Sequence, residues 1–590
     1  RYVIRVDDAV RVACEEGEGL GFVTRWDPAS RAIRVSVSDW MGRHAGPADL
    51  TFDPTWLLAA LDTRLSAIQA QPASYRTETA MRLFGARFPE TGTAHSAASH
   101  RDGLNECQVE ALGRVLGSRT QLVWGPPGTG KTLLLGHAVG ALAEKGRVLV
   151  LATTNVAVDE AARRVADQMG PGAVSEGRIV RLGANYSPSG DADLSIESVV
   201  QRREATDPGR LTRLLDELEA ELGIGRSRAG AASLQQRYGV VLARARAAGA
   251  PGALARAGHL TSELQRAGAR VLARADVVLT TFARMTLRDD LWALRFQSLF
   301  VDEASTAPLP YLFAGACLAT DRAVAVGDFQ QLPSVVMSSG TEAARWLSRD
   351  IFRQSGSIDP EAGRTLPDPR DDLCAMLTEQ YRMAPDIRVL VSELFYGGRL
   401  TDAPSVAARR VVTPPLVLVD TEALDPVVER AEGSRANAAH IEVLVQLLEL
   451  LGRQGVSDVG VVTPYRLQAR HIFRQVRSRL GRTAPGGLEV ATIHRFQGRE
   501  KAAVIFDTVD APPGGSWFLN ERRNPDFPRL LNVALSRSRE SLIMVGTAAG
   551  LEKTLPPDAL LNQTLATIRE RGRVIDATRV AREGSRVLEV

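Results

Sequence analysis

Short apolar runs alternate along the chain with longer stretches in which apolar residues recur at helical spacing. The run QLVW at 121–124 is followed by LLLGHAVGALAE, and similar runs are SLFV, AVAVG, VGVVT and AAVIF. Such runs, bounded by polar turns, are typical of buried strands. The alternation predicts an α/β fold in two successive units, one from near 104 to about 340 and one from about 374 to 550.

The segments outside this alternation have patterns of their own. Residues 18–38 read as two strands around a DPAS turn, which predicts a small β-barrel near the N-terminus. Leucines at helical spacing predict a stalk helix after the barrel: Leu57, Leu61 and Leu65. Residues 207–272 are rich in Ala, Arg and Leu, and further leucines predict an inserted helical hairpin there: Leu211, Leu214, Leu215, Leu218 and Leu222.

Two polar segments separate these parts. Residues 91–103 are rich in Gly, Ser and His and read as a linker, and residues 355–372 read as a mobile loop. We therefore predict a barrel and stalk helix, a first α/β unit that carries a helical insertion, a second α/β unit, and a C-terminal helix and tail that pack on both units. Their expected bounds are 1–90, 104–340 with the insertion at 200–272, 341–550 and 551–590.

Composition narrows the class of protein without identifying its partner. No run of 18 uncharged apolar residues occurs, so we expect no membrane contact. The N-terminus has no signal-peptide pattern, and its lack of an initiator Met fits a fragment of a longer protein. The four cysteines form no CxxC pair, which argues against a zinc ribbon and fits a reducing, cytoplasmic location. The net charge of +3 leaves the partner open, since arginine excess also follows from genome composition.

The segment GPPGTGKT at 125–132 matches the phosphate-binding pattern G-x-x-x-x-G-K-[ST] between a predicted strand and a predicted helix. Its glycines let backbone N–H groups surround a phosphate, the lysine reaches the β- and γ-phosphates, and the last hydroxyl can bind Mg²⁺. A P-loop alone indicates only a nucleoside-triphosphate-binding protein, and its predicted nucleotide-binding residues are Gly125, Pro126, Pro127, Gly128, Thr129, Gly130, Lys131 and Thr132.

Two later strands supply the remaining parts of a phosphate site. SLFVDEAS places Asp302 where an acidic residue holds Mg²⁺, and Glu303 where a base orients the attacking water. AVAVGDFQQLP places Asp328 and Gln331 after a buried strand, at the end that faces the ligand crevice of an α/β sheet. Gln331 is therefore expected to sense the γ-phosphate.

Together these segments resemble superfamily 1 helicases, specifically the 5′→3′ branch and the group that includes the nonsense-mediated-decay helicase. The order is similar to that group's motifs: LNECQVEAL, VLVLATTNVAVDEAARRV, ADVVLTTFARM, VDEAS, VGDFQQLP, LTEQYRMAPDI, VGVVTPYRLQ, EVATIHRFQGREKAAVIFD and PRLLNVALSRSRESLIMVG. The resemblance spans about 104–550 and implies two RecA-like domains. LSRSR departs mildly from the group's usual motif, and the barrel and insertion match its accessory domains only in kind.

The resemblance assigns residues of the second unit to the ATP site. It implies that Gln108 lies over the adenine, that Tyr381 stacks on the base, and that Gly498 and Glu500 border the cleft. It also implies that Arg382 and Arg537 face the γ-phosphate, where positive charge stabilises the phosphoryl-transfer transition state.

The same resemblance implies a surface for single-stranded DNA or RNA at strand ends. Its expected residues are Thr154, Asn155, Thr280, Thr281, Thr463, Tyr465, Thr492 and His494. Hydroxyls and amides there would contact phosphates without reading sequence. For each residue alone, a helix cap or turn hydrogen bond is an equally good interpretation, and His494 has no neighbours in sequence that suggest a metal site.

The sequence leaves two other function classes open. A nucleic-acid-stimulated ATPase switch that remodels complexes with little unwinding would use the same motifs. A P-loop scaffold without motor function is disfavoured, because it needs no arginines aimed at a γ-phosphate. DNA versus RNA, the pathway and any protein partners are not indicated by the sequence.

Overall fold

The computed structural model describes residues 9–14, 17–27, 32–37, 48–52, 55–86, 101–183, 194–206, 209–224, 234–249, 251–334, 336, 338, 340–358, 373–409, 413–431, 433–512 and 517–583. Most of the predicted linker at 91–103 and of the predicted loop at 355–372 lies outside these residues.

The N-terminal part is a small antiparallel sheet followed by two helices. Its strands are β1 (Ala9–Cys14), β2 (Gly17–Asp27), β3 (Ala32–Val37) and β4 (Asp49–Thr51), in the order β3-β2-β1-β4. The predicted strand pair around the DPAS turn is confirmed as β2 and β3. Since β3 and β4 pair with no further strand among the described residues, barrel closure stays a prediction.

The predicted stalk helix is confirmed as α1 (Thr55–Ala70), which is followed by α2 (Thr77–Leu83). Leu61 is buried, and Leu57 and Leu65 pack against the core. Both helices contact the first α/β unit, so the N-terminal part is attached to that unit through an apolar surface.

The first unit is built on a seven-stranded parallel sheet of order β11-β5-β10-β9-β6-β8-β7. The strands are β5 (Thr120–Trp124), β6 (Val148–Ala152), β7 (Ile179–Arg181), β8 (Val277–Thr281), β9 (Phe296–Val301), β10 (Ala319–Gly327) and β11 (Cys374–Met376). Because helices cover both faces, every residue of β5, β6 and β8 is buried, which explains their continuous apolar runs. β11 comes from the segment that we assigned to the second unit, yet it pairs with β5.

The helices of this unit connect its strands and carry its loops. They are α3 (Glu106–Gly117), α4 (Lys131–Ala143), α5 (Asn155–Ser175), α10 (Phe282–Leu287), α11 (Asp289–Trp292) and α12 (Leu309–Ala316), with α6 to α9 inserted between β7 and β8. The sheet order leaves only β10 between β5 and β9, so the ends of the two phosphate-site strands lie close together.

The insertion is larger than the predicted hairpin. It contains α6 (Ile196–Thr206), α7 (Arg210–Glu221), α8 (Leu234–Ala247) and α9 (Pro251–Arg274), and α9 contacts the other three. The predicted leucines of α7 pack inward, with Leu211, Leu215 and Leu218 buried. The leucine spacing identified α7, whereas the buried positions of α9 include alanines beside Leu260 and Val271, which makes its apolar face a weaker signal in the sequence.

The second unit has a six-stranded parallel sheet of order β18-β17-β19-β20-β14-β21. Two small pairs accompany it, so that the strands are β12 (Glu379–Gln380), β13 (Thr401–Asp402), β14 (Leu416–Asp420), β15 (Val428–Ala431), β16 (Ser434–Asn437), β17 (Val459–Thr463), β18 (Glu489–Thr492), β19 (Lys501–Asp507), β20 (Ser538–Gly546) and β21 (Arg573–Asp576). β21 lies beyond residue 550 and joins the sheet beside β14, so the C-terminal segment supplies a strand and does more than pack against the units.

The helices that follow β10 complete the fold. They are α13 (Thr341–Ala343), α14 (Ile351–Gln354), α15 (Pro385–Phe395), α16 (Pro404–Ala407), α17 (Ala438–Arg453), α18 (Arg466–Arg479), α19 (Phe527–Leu535), α20 (Ala548–Thr554), α21 (Leu560–Arg571) and α22 (Ala577–Glu583). One buried apolar cluster includes residues of both sheets. Trp124 of β5, for example, packs against Phe329 at 4.4 Å and against Tyr396, after α15, at 5.9 Å between ring centroids. The two units therefore share a continuous core beside the phosphate loop.

Candidate active site

The loop at 125–132 joins β5 to α4 and depends on glycine at two positions. Gly128 and Gly130 both have φ of +77°, a left-handed conformation that side chains disfavour. A Cβ on Gly130 would collide with the carboxamide of Gln108, and one on Gly128 would lie 2.6 Å from Cβ of Arg382. The Lys131 Nζ donates to the Gly125 carbonyl at 2.8 Å, so the loop curls around the lysine.

Gln108 is buried at the start of α3 and supports this loop. The Asn105 side chain caps the helix, and Gln108 Oε1 accepts the Asn105 N–H at 3.1 Å, which together form a capping box. Gln108 Nε2 donates to the Thr129 carbonyl at 3.0 Å. Both ends of the carboxamide are therefore bonded within the protein, and the structure shows Gln108 as a support of the loop.

The two acidic residues after β9 have different environments. Asp302 is buried, and its Oδ1 accepts the Glu303 N–H at 2.9 Å. Burial and the charge of Glu303 raise the pKa of Asp302 to about 7, while Lys131 acts in the opposite direction. Glu303 itself has φ 50° and ψ 41°, a left-handed conformation that is rare for a residue with a side chain.

Asp328 is a buried hub at the end of β10. Its Oδ1 accepts the indole N–H of Trp124 at 3.0 Å, and its Oδ2 accepts the Gln331 Nε2 and the Tyr396 hydroxyl, each at 2.7 Å. Tyr396 also accepts a bond from Asn532 Nδ2 at 2.7 Å. The carboxylate thus orients Gln331 on one side and is joined to the second unit on the other.

Arg537 follows α19 of the second unit and reaches the first unit directly. Its Nη2 donates to Gln331 Oε1, and its Nε donates to the Val533 carbonyl at 3.3 Å. Burial and the charge of Arg382 together lower the pKa of Arg537 to about 10, while the charge of Glu303 acts in the opposite direction. The guanidinium of Arg537 is therefore charged at neutral pH, and it lies close enough to Glu303 for the two charges to interact.

Arg382 lies at the same interface. Its Nε donates to Glu500 Oε2 at 2.7 Å, and its Nη1 donates to the Ser536 carbonyl at 3.4 Å. The buried Gln380 carboxamide positions it, because Gln380 Oε1 accepts the backbone N–H of Arg382 at 2.8 Å. Glu500 therefore pairs with Arg382, while Gly498 is exposed with φ of +76° on the turn before it.

Tyr381 connects the second unit to the phosphate loop. Its backbone N–H donates to the Gly128 carbonyl at 2.8 Å, and its hydroxyl accepts Asn105 Nδ2 at 2.8 Å. The side chain is 38% exposed, so the ring has accessible surface beside the loop. The QYRM segment consequently contacts both the loop and the capping residue of α3.

The sequence analysis missed three polar residues of this interface: Asn105, Tyr396 and Asn532. Tyr396 and Asn532 lie within apolar stretches, LFYGG and LLNVAL, and are buried. A buried polar residue requires a hydrogen-bond partner, and that requirement is the signal that could have indicated them.

The residues of the first unit that were predicted to contact nucleic acid fall into two groups, helix caps and buried side chains. Thr154 and Thr281 cap α5 and α10, where their hydroxyls accept the N–H groups of Ala157 and Arg284. Asn155 and Thr280 are buried. Asn155 Oδ1 accepts Arg181 Nη2 at 2.7 Å, and the Thr280 hydroxyl donates to the Leu182 carbonyl at 3.2 Å, so both side chains serve the interior.

In the second unit, Thr463 is buried, and its hydroxyl has no hydrogen-bond partner among the residues that the structure describes. Tyr465 is the residue before α18, and its hydroxyl donates to Asp510 Oδ2 at 2.9 Å. Thr492 precedes the short turn that carries the exposed His494. Thr463, Tyr465 and Thr492 therefore lie at the carboxyl ends of the adjacent strands β17 and β18, at one edge of the sheet.

Two further features of the described residues concern membranes and metals. Of the helices that the structure describes, none combines the length and hydropathy needed to cross a bilayer. Within the same residues, no cluster of three or more His, Cys, Asp or Glu side chains is arranged to hold a metal ion.

The fold and site together define a class of protein: a P-loop nucleotide-binding protein in which a second parallel α/β unit contacts the phosphate loop. Two family models, both described as AAA domains, match residues 103–339 and 365–549. The ATP-dependent helicase NAM7 of Saccharomyces cerevisiae is 28% identical over 80% of this chain and 44% of its own length. A regulator of nonsense transcripts 1 homolog from Arabidopsis thaliana is 28% identical over 76% of this chain and 33% of its own length.

Over most of its length the chain is similar to superfamily 1 helicases of the group that includes these regulators of nonsense transcripts, as the motif resemblance predicted. It spans between a third and a half of the length of the two relatives named here. Among solved structures, an arterivirus nonstructural protein 10 helicase overlaps 74% of this chain and 62% of its own, at 13% identity and a TM-score of 0.34.

Proposed function

We propose that the chain is an ATP-driven motor that moves 5′→3′ on single-stranded DNA or RNA and separates strands ahead of it. The observation that carries this proposal is the contact between Arg537 of the second unit and Gln331 of the first. A nucleotide held by the phosphate loop would lie against both units, so its γ-phosphate would change the interaction between them.

The residues present fit ATP. The loop curls around Lys131, and the bonds from Tyr381 to Gly128 and Asn105 bring the exposed ring beside that loop. Stacking of a base on Tyr381 is therefore sterically available. Gln108 would contact adenine only by exchanging one of its present bonds, and otherwise it would act by holding the Thr129 carbonyl.

The residues also fit Mg²⁺. Burial disfavours the charged carboxylate of Asp302, and a bound cation would reverse that preference. A carboxylate and the Thr132 hydroxyl are oxygen ligands of the type that Mg²⁺ prefers, and Mg²⁺ commonly uses only one or two protein ligands together with water and phosphate oxygens. When bound, it would neutralise charge on the β- and γ-phosphates.

In this proposal each residue of the ATP site has one role during hydrolysis. Glu303 takes a proton from the attacking water, and Gln331 holds the γ-phosphate end of the cleft in the orientation set by Asp328. Arg537 and Arg382 stabilise the negative charge that spreads over the transferring group. Loss of that group would weaken the contact between the units and let them separate.

The nucleic-acid surface is proposed at the strand ends. Thr154, Thr281, Thr492 and His494 are candidates from the predicted set. Thr463 and Tyr465 are further candidates from that set, because the Thr463 hydroxyl has no hydrogen-bond partner among the described residues and Tyr465 directly precedes α18. Directionality and a cytoplasmic location rest on the family resemblance and on the scattered cysteines, and the choice between DNA and RNA stays open.

ATP turnover and unwinding should be measured together, with single-stranded DNA and RNA of equal length as activators. We expect turnover that rises with one or both strands and unwinding that requires ATP, with Lys131→Ala as the inactive control. Stimulated turnover without unwinding would support the remodelling switch instead. A lack of stimulation by either strand would contradict both functions.

A further inference from the structure

Helix α18 carries an unusual concentration of positive charge. Its sequence, RLQARHIFRQVRSR, contains five arginines, one histidine and no acidic residue. Residues 466, 470, 473, 474 and 477 follow the spacing i, i+4, i+7, i+8 and i+11, which places them within about 100° of the helix circumference. We call this set the arginine stripe: Arg466, Arg470, Phe473, Arg474 and Arg477.

The stripe faces away from the core. All five of its side chains are exposed, whereas Ile472 and Val476 of the same helix are buried in the apolar cluster of the second unit. Phe473 is 52% exposed, and the Arg477 guanidinium lies 5.7 Å from the centre of its ring. An exposed aromatic ring beside arginines is the combination that stacks on bases and binds phosphates.

The charge of three of the four arginines in the stripe is available for a partner. Among the described residues, no carboxylate forms an ion pair with Arg466, Arg474 or Arg477. Arg479 of the same helix lies off the stripe and is paired with Glu442, with Nη2 and Oε1 3.0 Å apart. The three arginines without such an ion pair therefore lie together on one face of the helix.

The stripe also begins at the proposed nucleic-acid surface. Tyr465 is the N-cap residue of α18, and Arg466 follows it directly. The hairpin of β15 and β16 is joined to this end, where Ser434 Oγ accepts the Leu467 N–H at 3.1 Å, and it carries the exposed Arg430. From Arg466 to Arg477 the stripe extends about 17 Å, and residues at i and i+4 are about 6 Å apart along the axis.

We propose that the arginine stripe binds the phosphate backbone of a nucleic-acid strand where it leaves the cleft at Tyr465. This inference rests on the proposed function and adds a second surface to it. The positive charge of the stripe favours a polyanion as its partner. Nucleic acid is favoured over an acidic protein segment, because the exposed Phe473 ring can stack on a base and the stripe begins next to Tyr465 of the proposed nucleic-acid surface. Contacts along the backbone would lengthen the time that the motor stays on its strand.

The test is the triple variant Arg470→Gln/Arg474→Gln/Arg477→Gln in the full chain. Glutamine keeps helix propensity and removes charge, and Arg466 is retained because it adjoins Tyr465. The matched control is Arg453→Gln/Arg522→Gln/Arg571→Gln, which removes equal charge from other exposed positions of the second unit. Thermal unfolding of both variants checks that the fold is kept.

Affinity should be measured across salt concentrations for a short single strand of about eight nucleotides and for strands extended at either end by about ten. We expect the stripe variant to bind one of the extended strands more weakly, with the slope of log K against log[salt] reduced by about two for three lost contacts. Its affinity for the short strand and all affinities of the control variant should stay close to those of the unsubstituted chain.

Three results would overturn the inference. Unchanged affinity and salt slope on both extended strands would leave an acidic protein segment as the better occupant of the stripe. Equal weakening on short and extended strands would place the stripe within the cleft contacts and not beyond them. Failure of the unsubstituted chain to bind any strand would remove the proposed function together with the stripe, whereas the first two results leave that function intact.

Discussion

At the scale of single residues, Glu303 stands out because its backbone is strained. Left-handed dihedrals at a non-glycine residue cost on the order of 1–3 kcal/mol and persist where surrounding contacts hold them. Here the Glu303 N–H is bonded to Asp302, and the Glu303 carbonyl accepts both the N–H and the hydroxyl of Thr306. The charge of Glu303 raises the pKa of Arg537, so this turn places the Glu303 carboxylate near the interface between the two units.

Glu303→Gln should therefore leave ATP binding intact and slow hydrolysis by about 10²–10⁴-fold, because an amide cannot accept the proton of water. Single-turnover hydrolysis and equilibrium ATP binding would measure the two steps separately. The substitution preserves size and hydrogen-bonding capacity, so a normal rate would show that Glu303 is not the base.

At the scale of elements, two segments of the second unit meet the first through arginines. Arg537 lies after α19, and Arg382 lies on the QYRM turn that Gln380 holds. If their charge acts in the transition state, Arg537→Ala and Arg382→Ala should each reduce turnover by about 10³–10⁵-fold. The reduction in ATP affinity should be much smaller.

Lysine at either position should restore little activity, because a point charge does not reproduce the planar guanidinium. The double alanine variant should be little worse than the worse single variant, since groups that act as a unit are not additive. Single-turnover rates with a single strand present would test this. Near-normal hydrolysis in both alanine variants would mean that the second unit does not complete the site.

Tyr396 gives a second test at this scale. Tyr396→Phe removes the hydroxyl that bridges Asp328 of the first unit and Asn532 of the second. Asp328 would lose a buried donor at a cost of about 1–3 kcal/mol, and Gln331 would lose alignment. We expect lower stability and a turnover number that falls more than ATP affinity. Tyr311→Phe removes the same atom from another buried tyrosine, so an equal loss in that control would indicate a general packing effect.

These elements also show what sequence could and could not predict. The loop at 125–132 and strands β9, β10, β17 and β19 were predictable, because each is a local apolar run with a characteristic polar end. The pairing of β11 with β5 and of β21 with β14 was not, because three- and four-residue strands have no distinctive pattern and depend on tertiary neighbours. Asn105, Tyr396 and Asn532 were missed for a related reason, since the partners in these hydrogen bonds lie 68 to 276 residues away in the sequence.

At the scale of the whole molecule, a continuous series of contacts connects the phosphate loop to the surface where we propose that nucleic acid binds. The phosphate loop contacts the QYRM segment, and Asp328 is connected to α19 through the hydrogen bonds of Tyr396 and Asn532. The ends of the β-strands in both sheets carry the residues proposed to contact nucleic acid. Because the contacts are to a directional sugar–phosphate backbone, a strand would bind across the units in one polarity. Each cycle of closing and opening would then move it in one direction.

The family resemblance sets that direction as 5′→3′, so unwinding should need a 5′ single-stranded tail. Duplexes with a 5′ tail, a 3′ tail or blunt ends, otherwise identical in sequence, should be compared at equal ATP and low salt, where phosphate contacts are strongest. We expect unwinding of the 5′-tailed duplex alone, and stimulated ATP turnover with either tailed duplex, because a tail of either polarity supplies single strand. Unwinding of the 3′-tailed duplex alone would reverse the polarity of the bound strand while leaving the ATP site unchanged. Comparison with Glu303→Gln on the same duplexes would separate strand movement from melting by binding, since that variant should bind the strand without stepping along it.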